Sequence, residues 1–389
     1  MTPELTLSPE HRAFRDRVRR LVREKVEPRA DEIDRTNDFP WDLVEVFKKE
    51  GLLSILTPAE YGGPGMDYTS TALLAEELAY GSGGFACFVL TNTFAPMMIA
   101  RHGTEEQKKR YLPRFAEGAL GNVVAITEQH AGSDMAAMET SGVLRDGQWV
   151  LNGDKYYGEP LEVAQIMYVF ARTSAQRGSH GISCFVLERD TPGLSVGPRA
   201  DSLGFRGAGL AQIMLRDVKV PRENLIGSEG AGIRVCRELM DTVAATNSVP
   251  VGLAQRAYDL ALEHARERTT FGKPIIAHQA VMFGLVEMAM KLEAARSMIY
   301  RACAGIDAGE SDPALCQMAS TFTNDACLAV GNEALAVFGG HANLDRYHPV
   351  TRALRDLKTA ATGGGGARNI RLSIIGRGLF AQKGERGKP

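Results

Sequence analysis

The sequence predicts a multidomain α+β chain: an N-terminal helical domain over residues 1–121, a central β domain over 122–230 and a C-terminal helical bundle over 231–389. Three observations carry that prediction. Apolar residues recur at helical spacing as far as about Gly121. Short apolar runs punctuated by turn residues then replace them, and after Gly232 the helical period returns with broader apolar faces. With 389 residues, 44% of them hydrophobic, the chain can bury a large core in more than one domain.

The helical part begins at Ser8-Pro9-Glu10, which supplies an N-cap, a first-turn proline and a first-turn acid. Phe14, Val18, Leu21, Val22 and Val26 follow at helical spacing. Leu43, Val44, Val46 and Phe47 mark a second amphipathic stretch ending at Gly51, and Ala72 to Tyr80 a third. The apolar run Phe85 to Ala100 reads as a buried helix. Thr104 and Gln107 have capping-box spacing and open a short helix to about Phe115.

In the middle part, Val123 to Ile126 is a short apolar strand. Gly142 to Arg145 and Gln148 to Leu151 flank Asp146-Gly147, the signature of a tight hairpin. Ile166 to Ala171, Ile182 to Leu187 and Gln212 to Val220 are further strands, the last ended by Pro221. In the final part Val251, Ala254, Ala257 and Leu260 share one helical face. Met282, Leu285, Met288, Ala289, Leu292 and Ile299 share another, broad enough for a bundle that also buries a subunit interface.

Composition narrows the function. The 45 basic and 47 acidic residues leave a net charge of −2, which gives no electrostatic reason to expect nucleic acid or an anionic membrane. No uninterrupted apolar stretch looks long enough to span a bilayer. Six scattered cysteines without a C-x-x-C, and an N-terminus without signal-peptide order, lead us to expect a reduced, cytoplasmic protein. No His/Cys/carboxylate group has metal-ligand spacing.

Four stretches carry candidate chemistry. Ile126 to Asp134 follows a strand with small residues, hydroxyls and a glycine; it either offers donors to a polar ring or phosphate or is a simple Asx/Ser turn. In Leu151 to Tyr157, Asn152-Gly153 is a turn signal and the aromatics suit strand packing. Arg268 to Pro274, with Gln279 downstream, places an arginine between two long helices, as a phosphate fork or as a solvated side chain. Phe338-Gly339-Gly340, Arg355 to Lys358 and the run Gly363 to Gly366 permit close backbone approach to a ligand, or make a flexible loop.

Together, in this order, the four stretches resemble the acyl-CoA dehydrogenase family. ITEQHAGSD (126–134) is similar to the family's T-E-P-x-A-G-S-D loop and LNGDKYY (151–157) to its L-N-G-x-K strand. ERTTFGKPIIAHQAV (267–281) is similar to R-x-x-F-G followed by a glutamine. LGFRGAG (203–209) and LRDVKVPRENLIG (215–227) resemble the joint between its β domain and its bundle. The resemblance covers nearly the whole chain. It implies a helical, β-barrel, helical architecture, a homotetramer or dimer of dimers, FAD as cofactor, an acyl-CoA substrate and an electron-transfer flavoprotein as partner. It also implies that Ile126, Thr127 and Ser133 lie along flavin and thioester, with Tyr157 and Glu159 beside the flavin. Arg268, Phe271 and Gln279 would reach the pyrophosphate and adenine of a neighbouring subunit, and Gly339 and Gly340 would pack on FAD from another chain.

The chain departs from the family where the reaction is hardest. The usual base, a glutamate six residues after the lysine of R-D-x-K, falls on Gly364, which has only a backbone N–H to offer; Gly364 and Gly365 remain candidates for polarising the thioester carbonyl. Losing a general base costs ~10²–10⁴ in rate. The alternative glutamate position of the family falls near Thr242 or Val243, where Asp241 is the one nearby carboxylate. Where the family has a threonine near flavin N5, this chain has Glu159, which would be protonated if buried. A glutamine that precedes the family's glycine pair is Ala336 here. These departures predict an FAD-dependent dehydrogenase of an atypical CoA thioester, with hydride transfer to flavin N5 and the base relocated to Glu159 or Asp241. The alternatives are a redox-neutral elimination or desulfination-type lyase, against which stands the lack of a sulfinate-holding arginine around Gly84, and an inactive subunit paired with an active paralogue.

Overall fold

The computed structural model describes residues 7–175, 178–240, 244–363 and 367–380, without the side chains of 122–124, 157, 179 and 238–240. Helix α1 (Pro9–Leu21) starts where the caps place it, Ser8 Oγ accepting from the His11 N–H. Helices α2 (Ala30–Thr36) and α3 (Trp41–Lys49) follow. Helix α4 (Tyr68–Gly81) is capped by Asp67, and α5 (Gly83–His102) by Ser82. Both halves of the capping box at Thr104 and Gln107 are formed at the start of α6 (Glu105–Ala116).

Helix α5 corrects one expectation. By length and mean hydropathy it is long and apolar enough to cross a membrane, although 78% of its apolar window is buried inside the protein. Its polar positions are spent internally: Asn92 donates to the Leu53 carbonyl and accepts from the Gly121 N–H. It is the central helix of the N-terminal core, apolar all round because it is packed all round.

The β domain is an eight-stranded mixed sheet: β1 (Gly121–Ala125), β2 (Ser141–Arg145), β3 (Gln148–Gly158), β4 (Ile166–Arg172), β5 (Ile182–Glu188), β6 (Leu194–Val196), β7 (Ala211–Pro221) and β8 (Leu225–Ile226). Its order is β6-β7-β3-β2-β4-β5-β8, with β1 parallel to β4. The predicted hairpin joins β2 to β3 with Val143 opposite Val150, and both Asp146 (φ 49°) and Gly147 (φ 79°) take the left-handed conformation of a two-residue turn. Asn152-Gly153, read from sequence as a turn, lies inside β3; the chain stays extended there because β3 pairs with β7 on both sides of a bulge. The central strands are two-faced. Ile166, Tyr168 and Phe170 face the helical core, while Met167, Val169 and Ala171 face a second core inside the sheet with Trp149 and Phe185.

The C-terminal part comprises α7 (Gly232–Met240), α8 (Ser248–Glu267), a hairpin of β9 (Thr269–Thr270) and β10 (Lys273–Pro274), α9 (Gln279–Asp307), α10 (Pro313–Phe338), α11 (Pro349–Gly363) and α12 (Arg368–Phe380). It is docked on the N-terminal part through α4. Buried Arg296 of α9 holds Glu76 at 2.8 Å, and the Tyr300 hydroxyl donates to the same carboxylate at 2.8 Å. Leu285, Met288, Leu292 and Ile299 of α9 are buried, as the periodicity predicts. Met282 is exposed instead, on a second apolar face with Phe283, Val286 and Met290.

Candidate active site

Loop 126–134 and the end of β3 are strapped together. The Tyr156 N–H donates to the Thr127 carbonyl at 2.9 Å. Lys155 Nζ donates to the Ile126 carbonyl at 3.2 Å and to Glu128 Oε1 at 2.6 Å. The Glu139 and Thr140 N–H groups close on the same Glu128 carboxylate. Lys155 is wholly buried, and burial lowers its ammonium pKa to about 8 against the opposing pull of Glu128. Burial alone would raise the Glu128 carboxyl; Lys155 and the backbone donors outweigh it and hold the group below its usual range. This ion pair was not singled out in the sequence, where Lys155 served only as part of a motif.

The far end of β3 meets α5. The Cys87 thiol donates to Glu159 Oε2 at 2.9 Å, joining residues 72 apart in sequence. Both lie deep in the protein, yet both keep a partly accessible surface. Burial raises the Glu159 carboxyl pKa, the thiol opposing it, and among the described residues no cation touches it. Glu159 is therefore turned into the protein rather than to solvent, with its carboxyl held above the usual carboxylate range by burial. Burial and then the neighbouring Glu159 push the Cys87 thiol well up, so it stays a thiol. Nothing in the sequence marks Cys87, since the face it shares with Thr91 shows only when α5 is packed.

Other donors are unspent. Ser133 is exposed and Thr127 half-buried, and neither hydroxyl has a protein partner among the described residues; a Cβ added at Gly132 would meet nothing within 4 Å. Ile126 is buried at the root of the loop. Arg268, Phe271 and Gln279 form a separate, outward-facing group. Phe271 (φ 51°) and Gly272 (φ 78°) make the tip of the β9–β10 hairpin, the Phe271 ring is 96% exposed, and Gln279 opens α9. Gly339 and Gly340 are exposed as well, at the end of α10. Gly364, Gly365 and Asp241 fall outside the described residues, as does the Tyr157 side chain. An open cleft of about 520 Å³ lined by Trp41, Arg114, Gln165 and Glu188 involves none of these residues.

Gly84 settles a separate point. A Cβ there would sit 2.0 Å from the Arg206 carbonyl oxygen. The α5 backbone is pressed against that segment, so an arginine at 84 has no room.

A loop of free hydroxyls beside a deep acid, with an exposed arginine–aromatic hairpin on a helical bundle, fits a polar, phosphate-bearing dinucleotide. A helical domain, a middle sheet and a helical bundle carrying such a set define the flavin-dependent dehydrogenases of CoA thioesters. Comparison with known proteins agrees across the chain: residues 8–119 match the N-terminal domain of acyl-CoA dehydrogenase, 123–218 its middle domain and 230–380 its C-terminal domain. The chain belongs to the acyl-CoA dehydrogenase family. It is 36% identical over 380 residues to cyclohex-1-ene-1-carbonyl-CoA dehydrogenase of Syntrophus aciditrophicus, covering 96% of this chain and 91% of that one. It superposes with a TM-score of 0.92 on butyryl-CoA dehydrogenase from Megasphaera elsdenii, at 30% identity over 96% of this chain and 99% of that chain. It superposes with a TM-score of 0.88 on an FAD complex of PigA, at 27% identity over 96% and 98% of the two chains. The family binds FAD and consists of flavoprotein oxidoreductases.

Proposed function

We propose that this chain oxidises a CoA thioester outside the plain straight-chain set, and that Glu159 is its proton-accepting carboxyl. The observation that carries the reading is the Glu159 side chain, deep, partly accessible and, among the described residues, bonded only to the Cys87 thiol. FAD, when bound, supplies the hydride acceptor. Thr127 and Ser133 would hold the flavin and thioester with hydroxyls that have no other duty. Cys87 fixes one carboxyl oxygen of Glu159 and leaves the other free to face substrate. A protonated carboxyl cannot accept a proton, so activity rises as pH climbs through the raised pKa of Glu159. The relatives named for branched or cyclic acyl groups favour such a substrate over a linear fatty chain. Electrons pass to an electron-transfer flavoprotein, and the chain works as a homo-oligomer in the cytoplasm. Against the elimination reading stands the lack of a sulfinate-holding arginine around Gly84, where a Cβ would also meet the Arg206 carbonyl oxygen.

The test is the visible spectrum of the purified protein titrated with straight-chain, branched and cyclic CoA thioesters, in the wild type and in Glu159→Gln. We expect bleaching by a branched or cyclic thioester. In Glu159→Gln the bleaching rate should fall by ~10²–10⁴ while the thioester still binds. An unchanged rate in Glu159→Gln overturns the assignment of the base; a wild-type flavin that no thioester bleaches overturns the oxidation.

A further inference from the structure

A base that takes a proton from its substrate must lose it again in every turnover, and a bound thioester covers the side of Glu159 that faces it. The other carboxyl oxygen of Glu159 meets the Cys87 thiol at 2.9 Å. Cys87 stands one helical turn beyond Gly83 on the same face of α5. Helical side chains lean toward the helix N-terminus, so the thiol leans toward the turn at Gly83. A second carboxylate, Asp356 of α11, occupies that turn: a Cβ added at Gly83 would lie 2.5 Å from Asp356 Oδ2 and 2.9 Å from its Cγ. The glycine thus admits a carboxyl beside the thiol. Asp356 Oδ1 accepts the Phe205 N–H at 2.7 Å, and Oδ2 takes no hydrogen bond from the described residues.

Beyond Asp356 the acids continue toward the surface. Asp34 of α2 is 3% exposed; Arg355 holds its Oδ2, while its Oδ1 is buried and has no hydrogen-bond partner among the described residues. Arg352, one turn before Asp356 on α11, has a buried Nη1 in the same condition, 3.8 Å from the Asp31 carboxylate. Asp31, one turn before Asp34 on α2, is exposed. Buried polar atoms without a protein partner face ordered water where the site is polar. Burial pushes the Asp356 pKa up to about 6, the Phe205 N–H opposing and Asp34 adding to it, so at neutral pH this carboxyl is an anion that accepts a proton and readily gives it up.

We propose that Cys87, Asp356 and Asp34 form a proton path from Glu159 to solvent, through the junction of the three domains. In the outward step the Glu159 O–H breaks and its proton passes to Cys87 Sγ, while the Cys87 S–H breaks and that proton passes, over water, to Asp356. One proton arrives as one leaves, so the thiol is unchanged and no electrons move. The proton then passes to Asp34 and out beside Asp31, between Arg352 and Arg355. Asp356 and Asp34 touch no substrate; they act through Cys87 and Glu159, and the inference rests on Glu159 as the base.

The experiment reduces the full-length holoenzyme anaerobically in heavy water with isobutyryl-CoA or cyclohexanecarbonyl-CoA, each of which has a single α-hydrogen. Two rates are read: flavin bleaching, and the appearance of deuterium at the α-carbon of the recovered saturated thioester by mass spectrometry. In wild type the reverse reaction should return deuterium to that carbon. In Cys87→Ala and in Asp34→Asn the ratio of deuterium uptake to bleaching should fall by roughly tenfold, because the proton taken from substrate stays on Glu159 and is handed back. Cys87→Ser, whose hydroxyl both accepts and donates, should restore the ratio, which a loss of packing alone would not move. The two sites lie on different helices, so a failure of one variant to fold leaves the other to decide. A wild-type ratio in either folded variant, a ratio that Cys87→Ser does not restore, or a wild type that bleaches without taking up deuterium overturns the path. The reading of Glu159 fails on other observations, a bleaching rate unchanged in Glu159→Gln or a wild-type flavin that no thioester bleaches, so the two failures are distinguishable.

Discussion

Lys155 holds a charge where no solvent reaches it, and that choice governs how the 126–134 loop is held. Taking an ion out of water costs several kcal/mol unless a partner and further hydrogen bonds return it. Glu128 at 2.6 Å and the Ile126 carbonyl do so, and the loop is fixed as a by-product. Lys155→Met would leave Glu128 buried beside no cation. We expect a loss of about 3–5 kcal/mol, read as a lower midpoint of denaturant unfolding; a midpoint within error of wild type would show that the loop does not depend on the pair. Sequence alone displays both residues inside recognisable stretches but says nothing of their meeting across 27 positions. Glu159 was legible as a departure, because a charged residue stands where a small hydroxyl is expected. Its state was not legible, since that depends on α5, whose Cys87 arrives from another domain. Gly84 was read only as the lack of an arginine; a Cβ there would fall 2.0 Å from the Arg206 carbonyl oxygen, which explains why no side chain stands there.

Elements with local signals were legible to within a few residues. The capping box of α6 and the Asp146-Gly147 turn each involve residues at most three apart, so their hydrogen bonds follow from the sequence itself. The two-residue strands β8, β9 and β10 had no such signal, because pairing rather than composition makes them strands. Helix α9 shows the other limit of periodicity. Its apolar residues were read as one face, whereas the fold buries one set and leaves Met282, Phe283, Val286 and Met290 outside, at spacings of about one turn. Contiguous exposed apolar surface of this kind marks an interface. We expect Met290→Glu to shift the assembly toward smaller species, seen as a lower mass by light scattering, with little change in the helical signal. An unchanged mass would place the subunit contact on another element.

At the scale of the molecule, one carboxylate ties the three parts together. Asp356 of α11 accepts the Phe205 N–H at 2.7 Å, in the β6–β7 connection of the β domain, and lies against Gly83 at the start of α5. Neighbouring Arg355 reaches Asp34 of α2. Burial pushes the Asp356 pKa up to about 6, the Phe205 N–H opposing it, from about 3.9 in an unfolded chain. A group raised in the folded state stabilises fully below its unfolded pKa and loses that contribution as pH rises through its folded one. Wild type should therefore be most stable relative to Asp356→Asn near pH 4, with the advantage gone above about pH 6, as thermal midpoints at the two pH values would show; a difference that grows with pH would refute the protonated junction. The β9–β10 hairpin has a different consequence. Its phenyl tip is 96% exposed and meets its own chain only edge-on at the His278 ring among the described residues. If it closes the cofactor cavity of an adjoining copy, no copy owns a finished cavity. An allele crippled at Arg268 and another crippled at Glu159 would then, when mixed, regenerate one intact cavity for each doubly damaged one, so that two dead genes together restore what neither encodes.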